Sequence, residues 1–276
     1  MNLNQEESYG KTLLGSAVRY AMEAGEQILS RMSAPYRVGD KVNRADLVTD
    51  VDLHSERVIR ERIGRDYPDH WILSEETDGG LDAFGMMARP APGIGWIIDP
   101  IDGTINFVHG IPHFAVSIGI VRDGSLLHGV VFNPVTRELF HATHGEGARL
   151  NGDPIRVGAE ADVGRALLAT GFQASDWRRD SVAAAQVSRI AGISRSVRIL
   201  GAASLDLCMI ACGRLNGFWH DGLYPWDVAA GLLIVREAGG TVSNGEGDPY
   251  VWSDKKLVAS SPELHGELLA LLFTED

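Results

Sequence analysis

Apolar residues Leu13, Leu14, Ala17, Val18, Ala21, Ile28, Leu29 and Met32 recur at spacings of three and four, which predicts a long amphipathic helix. Residues 46–52 (DLVTDVD) read as extended and then capped, because Thr49 followed by Asp52 has the form of a capping box. The helix it opens runs to about Ile63, and Tyr67-Pro68-Asp69 turns the chain. Trp71-Ile72-Leu73 reads as a short strand ending at Glu75-Glu76. Residues 77–95, rich in Gly and Pro, read as a loop carrying Met86 and Met87. Trp96-Ile97-Ile98 predicts a buried strand that stops at Asp99-Pro100.

Stretches 114–122 and 125–132 are β-rich and joined by Asp123-Gly124, a hairpin signal. Arg137 to Ala142 reads as a third strand, and Asn151-Gly152 as another hairpin turn. Beyond residue 160 strands and helices alternate. Strands fall near 166–170, 197–200, 216–219, 240–243 and 257–260, and helices near 179–191, 202–213, 226–238 and 263–272. Ser261-Pro262 opens the last helix, and Gly239-Gly240 closes the one before. The pattern gives an antiparallel α+β half (1–160) followed by an α/β half (161–276).

Composition narrows the classes. The chain has 276 residues, 45% apolar and 22% charged, an ordinary globular mix. A net charge of −12 argues against non-specific binding to nucleic acid or to a membrane surface, since both need surplus cations. Cys208 and Cys212, four apart in a predicted helix, read as small buried side chains in a reducing compartment. The polar opening MNLNQEESYGK lacks the apolar core of a secretion signal, and no apolar run reaches the ~18 residues of a membrane span. The expected location is the cytoplasm.

The candidate chemistry centres on Asp99-Pro100-Ile101-Asp102-Gly103-Thr104. A buried strand delivers two carboxylates three residues apart into a turn. Pro100 fixes φ, Gly103 lets an anion approach the backbone, and Thr104 adds a hydroxyl at the start of a short helical segment. Hard oxygen ligands beside a phosphate suit Mg²⁺. The spacing differs from the Asp-x-Asp of a phosphoaspartate enzyme and from the alternating acids of an EF-hand. Taken alone, the hexapeptide also reads as a surface Asp-Pro turn. His141 and His144 read as exposed strand-end residues and Trp226 as core.

The hexapeptide has companions. Lys41 before DLVTDVD, then Ser74-Glu75-Glu76-Thr77, then WIIDPIDGTINFVHGIPHFAVSIGI, then Pro225-Trp226-Asp227-Val228-Ala229-Ala230-Gly231 occur in that order. Eleven residues separate Asp227 from Gly239-Gly240. In these motifs the chain resembles, over nearly its whole length, the inositol monophosphatase family of Mg²⁺-dependent, lithium-sensitive phosphomonoesterases. The resemblance implies a layered αβαβα sandwich, a homodimer, and two to three Mg²⁺ per site. It implies that Glu75, Asp99 and the carbonyl of Ile101 bind one ion and that Asp99, Asp102 and Asp227 bind a second, with Glu75 also touching a third. Thr104, bonded to Asp52, and Glu75 would activate the attacking water. Ile101, Asp102 and the amides of Gly103 and Thr104 would face the phosphate. Lys41 matches a basic residue near the site.

On the same basis Gly201-Ala202-Ala203, position 220 and Asp227 face the sugar or polyol. Many members carry Glu at position 220. His220, with Asp221 beside it, replaces an acceptor pair by a group that can donate, which weakens the case for myo-inositol 1-phosphate as main substrate. Ile105 stands where Ser or Thr is common, with a packing consequence expected. Histidinol phosphate, fructose 1,6-bisphosphate and 3′-phosphoadenosine 5′-phosphate are alternative substrates within the superfamily. A regulatory role beside RNA polymerase is the alternative of another class, against which the charge and the intact ligand positions argue.

Overall fold

The computed structural model describes residues 12–273 apart from 33, 42, 44, 80 and 81. The polar opening over residues 1–11 lies outside the described residues. Helix α1 (Leu13–Met32) forms where the apolar repeat predicts it and buries Ala17, Val18, Ala21 and Ile28. Strands β1 (Val38–Asp40) and β2 (Leu47–Thr49) pair antiparallel. Helix α2 (Asp50–Asp66) then starts on the expected capping box: Thr49 accepts from the Asp52 amide, and Asp52 accepts from the Thr49 amide. The helix begins inside the stretch read as extended, because the cap acts at Thr49.

A seven-stranded sheet follows, with strands in chain order from edge to edge. It comprises β3 (Trp71–Ser74), β4 (Ile94–Asp102), β5 (Ala115–Arg122), β6 (Ser125–Asn133), β7 (Glu138–Thr143), β8 (Gly147–Leu150) and β9 (Asp153–Ile155). Only β3 and β4 run parallel. Both expected hairpin turns hold left-handed backbone at their two central residues, Asp123-Gly124 and Asn151-Gly152. Three expectations are corrected. Strand β4 does not stop at Asp99-Pro100: a bulge between Asp99 and Asp102 absorbs Pro100, which needs no ladder donor there. The 77–95 loop contains helices α3 (Glu75–Asp78, which begins before it) and α4 (Ala83–Ala88), where Met87 is buried. His141 is buried on β7 rather than exposed, and burial pushes its pKa down to about 4.

The second sheet holds β10 (Leu167–Thr170), β11 (Ser196–Ile199), β12 (Gly217–Asp221), β13 (Thr241–Ser243) and β14 (Lys256–Ser260), in spatial order 11-10-12-14-13. Strands β11, β10 and β12 are parallel, and β14 runs against β12 and β13. Its helices are α6 (Val182–Ala191), α7 (Ala203–Ala211), α8 (Pro225–Glu237) and α9 (Pro262–Phe273). The short α5 (Thr104–Val108) follows β4.

Helices α1 and α2 cover one face of the larger sheet. Helices α7 and α8 fill the space between the two sheets, and α6 and α9 cover the outer face of the smaller. This is the five-layer αβαβα sandwich. Helix α8 lies close because Gly119 and Gly129, paired across β5 and β6, present no side chains to it. A Cβ at Gly119 would stand 2.6 Å from the Ala229 Cβ, and one at Gly129 2.6 Å from the Ala230 carbonyl oxygen. Cys208 is buried and Cys212 partly so, both as free thiols. No described helix is long and apolar enough to cross a membrane.

Candidate active site

The parallel β3–β4 pair sets Ser74 opposite Ile98, so the chain leaves β3 at Glu75 level with Asp99 on β4. The β4 bulge then turns the chain, with the Asp99 Oδ1 accepting from the Ile101 amide at 3.0 Å. Asp102 and Gly103 follow. Gly103 has φ +94°, and a Cβ there would stand 3.0 Å from the His113 carbonyl oxygen and 3.1 Å from the Ala202 Cβ. Glycine thus lets the Gly201-Ala202-Ala203 segment close against this turn. The Thr104 hydroxyl opens α5, 3.0 Å from Asp52 Oδ1 and 3.1 Å from the Ile101 carbonyl oxygen. The Asp52–Thr104 bond implied by the resemblance is therefore present.

The aspartates are oriented by backbone amides, and Glu75 and Glu76 by a lysine. Asp52 Oδ2 accepts from the Thr49 amide at 2.8 Å and from its hydroxyl. Asp102 Oδ2 accepts from the amide and hydroxyl of Ser204, the amide at 2.7 Å, and so serves the start of α7 as a capping side chain would. Asp227 Oδ2 accepts from the Tyr224 amide at 2.7 Å at the start of α8. Lys41 Nζ donates to Glu75 and Glu76, each at 2.7 Å. Glu56, one turn beyond Asp52 on α2, accepts from the Glu76 amide at 2.7 Å.

Electrostatics makes this a strained neighbourhood. Asp99 is pushed well up by burial and then by Glu75, Asp102 and Asp227. Asp227 is pushed up by burial, Glu75 and Asp102. Burial raises Asp102 to about 7 against the bonds from Ser204, and Asp52 to about 6 against those from Thr49. Glu76 rises to about 8 through burial and Glu75, which outweigh Lys41. Burial works against the Lys41 charge, but Glu75 and Glu76 overcome it and hold the ammonium protonated. Two like charges at ~4 Å cost about 4 kcal/mol at an effective dielectric of ~20. One lysine does not neutralise this many acids. Among the described residues no three such side chains stand together as a closed ion-binding group, because Glu75, Asp102 and Asp227 each turn to a local partner.

Asp102, Gly103, Thr104, Glu75 and Asp227 line one cavity of 340 Å³, together with Gly201, Ala202, Ala203 and His220. Lys41 lines the adjoining space that shares Glu75 and Asp227. His220 differs from the sequence expectation of a donor. It is buried, its Nδ1–H donates to the Asp221 carbonyl oxygen at 3.0 Å, and burial pushes its pKa down to about 4. The neutral ring therefore leaves Nε2 as an acceptor. Ile105 is half exposed on the cavity wall.

Sequence reasoning missed Ser204 and the buried Asp206, whose Oδ1 lies 3.2 Å from His113 Nε2. It missed Glu56, although the i,i+4 spacing from Asp52 places both on one helix face. It also missed Phe172 and Trp177 on the cavity wall, where no periodicity marks them.

The model of the inositol monophosphatase family matches residues 11–275. An inositol-1-monophosphatase of Synechocystis is 38% identical over 94% of this chain and 88% of its own. The Nus factor SuhB of Pseudomonas aeruginosa is 40% identical over 94% and 95%. Among solved structures, the suhB extragenic suppressor protein of Bartonella henselae has a TM-score of 0.86 at 32% identity, covering 96% of this chain and 99% of that one. An inositol monophosphatase-II of Staphylococcus aureus, solved with inositol monophosphate bound, has a TM-score of 0.77 at 32% identity over 93% and 92%. Motifs, layered fold and relatives agree: the chain belongs to the inositol monophosphatase family and is a phosphomonoesterase.

Proposed function

We propose that the chain hydrolyses a small phosphate monoester of a sugar or polyol by direct attack of water, with Mg²⁺ as cofactor. The observation that carries this is the set of acids Glu75, Asp102 and Asp227 on the wall of one cavity, with the buried Asp99 next to all three and Lys41 as the neighbouring cation. Such a donor set fits hard divalent cations. Glu75, Asp99, Asp102, Asp227 and the Ile101 carbonyl would hold two to three Mg²⁺, which supply positive charge for the nucleophile and the departing oxygen. Asp52 holds the Thr104 hydroxyl, and Thr104 with Glu75 would orient and deprotonate the water. The Gly103 and Thr104 amides would meet the phosphate, and Gly201-Ala202-Ala203, His220 and Asp227 the alcohol part. In this reading residues 1–160 bring most ligands, residues 161–276 bring Asp227 and the substrate wall, and the enzyme works in the cytoplasm as a homodimer.

Titration of the purified protein with Mg²⁺ by calorimetry should find at least two ions, and fewer in Asp99→Asn. Phosphate release from a panel of esters should require Mg²⁺ and be inhibited by Li⁺. Release that persists in excess EDTA would defeat the reading.

The SuhB relative favours a second reading, association with transcription proteins. Capture of RNA polymerase by the wild type and Asp102→Asn alike would support it. Catalysis and association can coexist.

A further inference from the structure

Ser117 lies in β5, fully buried, and its hydroxyl oxygen has no hydrogen-bond partner. Its neighbours on the same face of the strand are Ala115 and Gly119, and its partner on β6 is Val131. Ala115 and Val131 belong to the apolar layer that packs with α7 and α8. A buried hydroxyl left unpaired costs about 1–3 kcal/mol. Alanine would fill nearly the same space without that cost, so close packing under α8 does not account for a serine here.

The sheet register supplies a reason. On its other side Ser117 stands directly opposite Asp99 of β4, where the bulge begins. Residues directly opposed in an antiparallel pair point to one face, with Cβ atoms roughly 4.5–5.5 Å apart. The serine is thus next to the acid that faces Glu75, Asp102 and Asp227.

Two other acids of the site show the pattern that Asp99 lacks. Asp52 takes both the amide and the hydroxyl of Thr49, and Asp102 takes both from Ser204. Asp99 takes the Ile101 amide on Oδ1 and, among the described residues, no hydroxyl. Rotation about the Ser117 Cα–Cβ bond carries its hydroxyl through three staggered positions. A spare donor therefore stands across the ladder from the carboxylate that has none of this kind.

We propose that Ser117 is a positioning residue of the metal centre, whose hydroxyl donates to the Asp99 carboxylate in the Mg²⁺-loaded protein and fixes its direction. This rests on the metal-dependent phosphatase reading and adds a residue to it. Ser117 acts through Asp99 and needs no contact with ester or ion. Carboxylates that bind a cation are themselves held by donors, and losing such a donor weakens metal binding by about 10- to 100-fold.

Calorimetric titration with Mg²⁺ should show binding weakened by about tenfold or more in Ser117→Ala. In EDTA the same variant should melt at or above the wild-type temperature, because the unpaired hydroxyl has gone. A serine kept for the fold would move that melt downward. Ser194→Ala removes another buried hydroxyl oxygen without a partner, beyond α6, and should bind Mg²⁺ within about twofold of the wild type. A lower melt of Ser117→Ala in EDTA overturns the assignment, and so does a Ser194→Ala variant that weakens Mg²⁺ binding as much. Wild-type Mg²⁺ binding matched by equally tight binding in Ser117→Ala overturns this inference alone. A wild type that takes up no Mg²⁺ overturns the metal reading and this inference with it.

Discussion

The two walls of the cavity are built by different means. On the acidic side four carboxylates are fixed by backbone amides, Asp52 by Thr49, Asp99 by Ile101, Asp102 by Ser204 and Asp227 by Tyr224, and Glu75 and Glu76 are held by Lys41. Directional bonds to strand ends and helix starts hold charge where it is costly, because a buried acid with no such partner would be worse still. On the opposite side, rings pack in pairs, Phe172 with Trp177 after β10 and Phe218 with His220 on β12. Packing surfaces change shape with single substitutions and leave the charges untouched. The first wall therefore suits chemistry common to all esters, and the second suits choice among them.

The largest test of this division is Asp99→Asn. Turnover of every ester should fall by about a thousandfold or more, the scale seen when an electrostatic partner of the transition state is lost. The metal-free protein should at the same time melt at a higher temperature by calorimetry in EDTA, because an acid whose ionisation is opposed by burial and by three other acids, but is free in the unfolded chain, has gone. Loss of activity toward one ester alone would erase the distinction between the walls. Next, Thr104→Val removes the hydroxyl held by Asp52. It should lower kcat by about a hundredfold with KM unchanged, as for a lost acid–base positioning contact. Steady-state kinetics on two unlike esters checks that both fall together.

A smaller effect concerns His220 on the second wall and His141 beyond it, both held near pKa 4 by burial. In the unfolded chain they titrate near 6.5, so between these values the unfolded state binds more protons. Their contribution is complete above about 6.5 and is lost as the pH falls toward 4, by up to roughly 3 kcal/mol per ring. Urea unfolding at pH 7.5 and 5 should show the loss, and His220→Gln should lack its share. Smallest of all, Ile105→Ser on the half-exposed cavity edge should change stability by no more than about 0.5 kcal/mol, measured by the same unfolding.

Local patterns exposed much of this in advance. The Thr49–Asp52 cap, the Asp123-Gly124 turn and the period of α1 depend on neighbours within a few residues, and all three form where the sequence places them. The acids of the first wall were legible because their motifs are short and contiguous. What escaped depends on long-range placement. Pro100 looked like the end of β4 because a proline interrupts a ladder, yet the bulge keeps the strand going to Asp102. His141 looked exposed because its burial comes from packing around β7, which its own neighbours do not reveal. Ser204 reaches Asp102 from 102 residues away, and no spacing rule couples them. The Phe172–Trp177 pair sits in a segment without regular structure, where periodicity is silent.

The glycine pair beneath α8 sets a dimension of the site from outside it. Asp227 rides at the front of a helix whose seat on the sheet is only as thick as two bare backbones, at Gly119 and Gly129. One added methyl at 119 would lift that helix by on the order of 1 Å, since a close-packed interior has no slack to absorb it. Every polar atom would keep its identity and its own bonds, yet the gap between Asp227 and the acids of β4 would widen. The calibration of the charged centre is thus written partly in places that carry no charge and no side chain at all.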